Sequence, residues 1–249
     1  MKIFQKGFNF GQDGPGNRLV YHVAGCNMHC PWCSNPEGMK IEGSRKEKNS
    51  GQDGREKHPY KEYTPEELVR EAISCKPMFF GGGGVTFTGG EATLDAGALL
   101  CALKGMKENA IHTAIETNGT SPHLMELLPY IDYLIMDFKH YDSDILKTYT
   151  GVGTQQIRKN YEEICTGGRQ YHVRIPLIKH FNAENPEGFA AYFSRFPTEN
   201  TVFEFLKYHE YGKAKWQEEY KITDGFVTDE TVREFEAVFK TYGLKCVAT

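Results

Sequence analysis

A chain of 249 residues, 39% hydrophobic and 25% charged, can bury a sizeable core, and one α/β domain suits it as well as two. Its net charge of -4 argues against a generic nucleic-acid binder, whose phosphate-tracking surface is basic. No apolar run approaches the roughly 18 residues of a membrane span, and no signal-peptide pattern opens the chain, so the expected location is cytoplasmic with no membrane partner.

In chain order, the first strand is expected over residues 19–24, just ahead of the stretch CNMHCPWC. Residues 39–59 follow, rich in mixed charge and glycine and nearly free of apolar side chains, which predicts a mobile, solvated loop. A helix is expected over 65–74 behind Thr64, with Glu67 completing a capping box. Strands at 85–88, 112–116, 133–137, 172–176 and 202–206 then alternate with helices at 96–108, 123–128, 157–165 and 186–195. A last helix over 229–242 ends at Gly243, ahead of a short apolar tail at 244–248. Regular strand-helix alternation predicts a parallel sheet, and a continuous apolar strand such as YLIMDF suits a sheet covered by helices on its outer face.

Seven cysteines is an odd number, and three of them, Cys26, Cys30 and Cys33, share one loop. A disulfide framework explains that pattern poorly, and reduced metal-ligating thiolates explain it better. Four cysteines would cap every iron of a cubane cluster, whereas three leave one iron open to a substrate or cofactor. A zinc site completed by His22, His29 or Cys75 is the alternative. Cys75, Cys101, Cys165 and Cys246 are expected to be buried small hydrophobes.

Two further features carry polar groups to one edge of the sheet. Residues 81–93, GGGGVTFTGGEAT, lead through a short strand into Gly89, Gly90 and Glu91, where backbone can approach a ligand and a carboxylate can meet an ammonium group. Glu116, Thr117 and Asn118 finish one strand, Asp137 and Lys139 another, Tyr208 and His209 a third, and Arg174 lies within a fourth. In a barrel-like α/β domain the C-terminal strand ends assemble the active site, so the repetition weighs towards function although any one residue could be a surface turn.

With the cysteine motif, DGPGNR (13–18), GGGVTFTGGE (82–91), ETNG (116–119), MDFK (136–139) and YHEYGKAKW (208–216) resemble the S-adenosylmethionine radical family, and within it the activating enzymes of glycyl radical enzymes. The resemblance implies a single domain over 1–249, a partial (β/α)6 TIM-like barrel, with a 4Fe-4S cluster on Cys26, Cys30 and Cys33. S-adenosylmethionine would chelate the open iron and be cleaved reductively to a 5'-deoxyadenosyl radical, which takes hydrogen from a glycine Cα of a partner enzyme. By the same resemblance Trp32, Cys33 and Ser34 would line the adenine side and Gly89, Gly90 and Glu91 the methionine amino group. Thr117, Asn118, Asp137, Phe138, Lys139, Arg174 and His209 would hold the rest of the cofactor. Glu116, Thr117, Met136 and Asp137 would face a monovalent cation, and Asp13, Gly14, Pro15 and Gly16 the partner protein. A flavodoxin or ferredoxin would supply electrons to a monomeric enzyme.

Two departures stand out. The family's DTNG is ETNG here, so Glu116 carries an extra methylene towards the cation position, and the usual CHN is CSN, which puts Ser34 in place of a polar ring. The absence of a cysteine-rich insert after the cluster loop favours a pyruvate formate-lyase-type partner. Two other readings compete: a radical enzyme acting on a small molecule, which would not need DGPG or YHE-x-GK, and a zinc-stabilised binding module, which would leave the GGE and MDFK strand ends idle.

Overall fold

Strand pairing follows from the apolar runs, and the computed structural model, which describes residues 1–40 and 60–247, shows six parallel strands. Beyond Met39 and Lys40, the stretch expected to be a mobile loop lies outside the described residues. The parallel strands are β2 (Asn17–Val23), β4 (Gly84–Gly89), β5 (Thr113–Thr117), β6 (Tyr133–Asp137), β7 (Tyr171–Leu177) and β8 (Thr201–Lys207), paired in that order. These are the strands expected, with small shifts at their ends. β2 begins before Leu19 because the fully buried Arg18 points into the barrel and interrupts the apolar run that marks the strand.

Two antiparallel strands were not expected: β1 (Lys2–Phe10), which pairs with β2, and the two-residue β3 (Lys61–Glu62), which pairs with the start of β1. The sheet order is β3-β1-β2-β4-β5-β6-β7-β8, so its ends do not meet and the barrel is partial. At the β8 edge the chain's own tail takes up the ladder: Phe203 N–H donates to Lys245 O (2.8 Å) and Val247 N–H to Phe203 O (2.9 Å). That covers part of an edge that would otherwise invite another strand.

The helices are α1 (Pro65–Cys75), α2 (Ala96–Glu108), α3 (Leu124–Leu127), α4 (Ser143–Thr150), α5 (Gln155–Thr166), α6 (Pro186–Phe193) and α7 (Asp229–Thr241). The capping box forms as read, with Glu67 N–H on the Thr64 hydroxyl (3.2 Å) and Thr64 N–H on the Glu67 carboxylate (2.8 Å). α4 was not expected because it buries only Leu146 and Thr150; the Asp142 carboxylate caps it and Gly151, at φ 82°, ends it. Among the described residues no helix is long and apolar enough to cross a membrane.

Side chains alternate along the strands, and the two faces separate cleanly by chemistry. Outward residues meet the helices in an aromatic layer, with Phe193 4.7 Å from Phe203 and Phe205 4.8 Å from Phe239, ring to ring. Each such ring removed from water contributes about 1.5–3 kcal/mol. Inward residues include polar ones in two hydrogen-bonded groups, Arg18 with Thr86, and Thr88 with Glu116, Arg174 and Glu204. Of the four cysteines expected to be buried, Cys165 is, Cys75 and Cys246 are half-buried, and Cys101 is exposed. Cys101 lies outside the stripe of Leu99, Ala102, Leu103 and Met106 that α2 turns inward.

Candidate active site

The cysteine loop leaves β2 at the C-terminal edge of the sheet and is held there by backbone. Gly25 N–H donates to Gly38 O (2.7 Å), Cys26 N–H to Met39 O (3.0 Å) and His29 N–H to Thr150 O at the end of α4 (2.9 Å). The next strand supplies the loop's floor: Gly90 N–H reaches Val23 O (2.8 Å) and Glu91 N–H reaches Gly25 O (2.7 Å). Gly90 lies so close that a Cβ there would stand 2.1 Å from Gly25 O and 2.6 Å from Gly38 O, so the second glycine of GGE is fixed by backbone packing.

Two of the three sulfurs receive backbone hydrogen bonds, Met28 N–H to Cys26 Sγ and Asn35 N–H to Cys33 Sγ, both 3.4 Å. Asn118 Nδ2 lies 3.9 Å from Cys26 Sγ and donates to Asn27 Oδ1 at 2.9 Å. Burial pushes the Cys26 thiol up to about 11 and the Cys30 thiol up to about 12, and raises Cys33 as well, while the nearby Lys139 ammonium pulls all three down. Thiols in this setting stay protonated until an inorganic centre takes their protons' place. Among the described residues no three His, Cys, Asp or Glu side chains are grouped to hold a metal ion.

Around the loop the structure brings most of the candidate residues to one sheet edge. Asp137 and Lys139 share a face, with Lys139 Nζ 2.9 Å from Asp137 Oδ2. Burial works against the Lys139 charge, but Asp137 outweighs it and holds the ammonium above its ordinary value. Phe138 between them points the opposite way, fully buried against Tyr192 and Phe193, so it can offer a ligand only backbone. Met136 is likewise fully buried, packed below Gly119. Trp32 packs at a tilt against Phe181, with ring centroids 4.4 Å apart, and is buried.

His209 follows β8, its ring stacked on Tyr211 at 4.2 Å, and Tyr211 N–H donates to its Nδ1 (3.4 Å), leaving Nε2 to carry the proton of the neutral ring. Burial lowers the His209 pKa. Glu91 is buried, and its carboxylate accepts from Thr93 N–H (3.0 Å) and hydroxyl, from the Thr117 hydroxyl (2.7 Å) and from Asn118 N–H (2.7 Å). It ties the end of β4 to the end of β5.

Glu116 and Arg174 sit deeper. Arg174 Nη1 is 2.6 Å from Glu116 Oε1, its Nε 2.8 Å from Glu204 Oε2, and its Nη2 3.0 Å from Gln12 O. Thr88 donates to the other Glu116 oxygen (2.5 Å). Burial pushes the Glu116 carboxyl up to about 7 against the pull of Arg174. The Asp13 to Gly16 loop enters the same interior: Thr86 donates to Asp13 O (2.8 Å) and Arg18 to Pro15 O (3.0 Å).

Sequence reasoning singled out YHEYGKAKW but missed where its second half goes. Trp216 Nε1 donates to Cys33 O (3.1 Å), and Lys215 Nζ reaches Ser34 O (3.1 Å), Asn35 Oδ1 (3.1 Å) and Glu37 Oε1 (3.0 Å). Glu204 and Thr88 were also missed, and their inward positions opposite Arg174 and Glu116 were the available signal.

The radical SAM superfamily profile matches residues 20–193. The pyruvate formate-lyase-activating enzyme of Clostridium pasteurianum is 34% identical over 230 residues, covering 89% of each chain. The crystal structure of a domain of a pyruvate formate-lyase-activating enzyme from Bacteroides vulgatus superposes with a TM-score of 0.57 at 27% identity, over 67% of this chain and 98% of that one. A radical SAM methyltransferase from Sphaerobacter thermophilus shares the fold alone, with a TM-score of 0.67 at 13% identity over 98% of this chain and 68% of its own. The chain belongs to the radical SAM superfamily, in the family of the pyruvate formate-lyase-activating enzymes.

Proposed function

We propose that this chain is a glycyl radical activase acting on a pyruvate formate-lyase-type enzyme: it cleaves S-adenosylmethionine reductively and removes hydrogen from one glycine Cα of that partner. The observation that carries the reading is the loop of three thiols, Cys30 buried and Cys26 and Cys33 half-buried with N–H donors on sulfur, beside the Lys139 and Asp137 pair in a chain of this family.

Although the three thiols are not grouped for a single metal ion, three soft sulfur donors on one loop suit a 4Fe-4S cluster: Cys26, Cys30 and Cys33 would hold three irons, and the cluster when bound would supply one electron and an open iron. The remaining work belongs to the chain. Gly89 and Gly90 would offer backbone to the methionine ammonium, since the Glu91 carboxylate already carries four hydrogen bonds. Lys139, Asp137 and His209 would fix the other polar ends of the cofactor, with Trp32, Cys33 and Ser34 on its adenine side. The primary radical would have to be kept from water and pre-positioned, since it would otherwise take the wrong hydrogen. The monovalent cation implied by ETNG finds the Glu116 carboxylate engaged by Arg174 and Thr88, so the strand-end charge is balanced here by the guanidinium.

The reading includes a small one-electron donor such as flavodoxin or ferredoxin, a monomeric enzyme in the cytoplasm, and no nucleic-acid partner, which the net charge of -4 disfavours. Asp13, Gly14, Pro15 and Gly16 would border the path of the partner's glycine loop.

Asp137→Asn will weaken S-adenosylmethionine binding about tenfold, or about 1.4 kcal/mol, by loosening Lys139 from its partner. A titration of the cluster-loaded protein with the cofactor measures it; a sharply lower melting temperature with unchanged binding would assign Asp137 to stability instead. The activity itself is tested by incubating reduced enzyme, S-adenosylmethionine and a candidate glycyl radical enzyme with protiated and with α-deuterated glycine. A glycine-centred doublet in the electron spin resonance spectrum will collapse on deuteration, and deuterium will appear in 5'-deoxyadenosine. No spin on any partner, with a small metabolite stimulating turnover and accepting label, would overturn the assignment.

A further inference from the structure

The open sheet poses a mechanical problem. The cysteine loop follows β2 near one end of the sheet and His209 follows β8 at the other, and among the described residues no ladder of hydrogen bonds joins β8 to β1 or β3. Yet a cofactor gripped by both sides needs them at a fixed separation. The turn after β8 crosses that separation. Gly212 lies against the cysteine loop, where a Cβ would stand 2.6 Å from both Cys33 O and Ser34 Cα, so the two backbones touch. Lys215 spends its three N–H donors on three acceptors of the loop, Ser34 O, Asn35 Oδ1 and Glu37 Oε1, at 3.0 to 3.1 Å. Trp216 adds its indole N–H to the carbonyl of Cys33.

The turn is in turn anchored to the far strands. Lys213 pairs with Glu210 (2.8 Å), Trp216 meets Tyr220 edge to face at 5.6 Å, Tyr220 and Tyr208 share a hydrogen bond of 2.7 Å, and Tyr208 N–H reaches Leu177 O at the end of β7 (3.1 Å). A continuous chain of contacts therefore runs from the carbonyl of a cluster-loop cysteine to β7 and β8.

We propose that the Gly212 to Trp216 turn is a brace that sets the cysteine loop at its working distance from the β8 side of the site, with Lys215 and Trp216 as positioning residues for cofactor cleavage. The inference rests on the activase reading only in requiring that S-adenosylmethionine be cleaved. Such a brace acts on reacting geometry more than on affinity, because the cofactor can still be held by each side separately while its reacting bond is displaced. A misplacement of about 1 Å costs up to about a hundredfold in rate.

The test uses cluster-loaded wild type, Lys215→Met, Lys215→Arg and Trp216→Phe under reducing conditions, with iron and sulfide content, melting temperature, and kcat and KM for 5'-deoxyadenosine formation expressed per cluster. Lys215→Met and Trp216→Phe will lower kcat per cluster about tenfold with KM for the cofactor changed less than about threefold. Lys215→Arg, which keeps a donor in place, will lie between Lys215→Met and wild type. The spectrum of the reduced cluster with cofactor bound will change in the same order. Wild-type kcat per cluster in Lys215→Met and Trp216→Phe would overturn the brace even if those variants load less cluster or melt earlier, and so would a raised KM at unchanged kcat. Wild type that cleaves no cofactor counts against the proposed function instead.

Discussion

Cys30→Ala will abolish S-adenosylmethionine cleavage and leave the barrel folded. Cys30 is largely buried on the loop, with burial holding its thiol near 12, so the metal-free chain gains little from it beyond the packing of a small neutral group. Losing that group costs about 1 kcal/mol. The cluster is affected differently, because two thiolates leave a second iron without a protein ligand and the inorganic core is no longer fixed against Lys139 and Asp137. The control is Cys165→Ala. Cys165 is buried between α5 and β7, with its sulfur 2.7 Å from the Tyr171 hydroxyl, so the variant loses about 1–2 kcal/mol and keeps its cluster. Iron and sulfide content, visible absorption, melting temperature and 5'-deoxyadenosine yield separate the two. Wild-type cleavage by Cys30→Ala would refute the three-thiolate assignment.

How legible the chain was depended on which face of the sheet a residue serves. β4 to β8 were readable because their outward residues, such as Val85, Phe87, Val173 and Phe205, form runs that a helix-covered sheet requires. β1 was not, since most of its residues from Gln5 onward are exposed and Gly7 interrupts the pattern; past its two-residue pairing with β3 it has a strand on one side alone and buries too little to leave a signal. The site divides similarly. The cysteines and strand-end residues could be placed because loop position and strand direction decide them. The employment of Glu91, Lys215 and Trp216 could not, because it depends on which loops meet after the chain has crossed the sheet, and residues 33 and 216 are joined only by the completed fold. Phe138 shows the limit of motif reading: it sits inside MDFK, but just past the end of β6 its ring turns to the aromatic layer while its two neighbours face the site.

Arg174→Met will destabilise the chain by about 3–5 kcal/mol, and by more at pH 8.5 than at pH 6. The guanidinium lies between two mostly buried carboxylates, 2.6 Å from Glu116 and 2.8 Å from Glu204, so its removal leaves like charges facing each other in a poorly solvated interior. Even with Arg174 present, burial holds Glu116 near 7, and Asp13 and Asp137 push it the same way; burial also lowers the pKa of His172, 3.5 Å from Glu204. Without the guanidinium the Glu116 carboxyl rises further above its unfolded value, because the Arg174 charge that pulls it down is gone. A group whose folded pKa is raised favours the fold while protonated, and that support is lost as pH climbs through the folded value. The variant at pH 6 therefore keeps much of its interior neutral, whereas at pH 8.5 it must bury uncompensated charge or unfold. Urea midpoints at the two pH values, for wild type, Arg174→Met and the double variant Arg174→Met/Glu116→Gln, measure the effect. The double variant will recover part of the loss, mostly at the higher pH, because it removes one of the two stranded charges. A deficit that is equal at both pH values, or one the second substitution deepens, would show that Arg174 stabilises the barrel by packing rather than by neutralising Glu116 and Glu204.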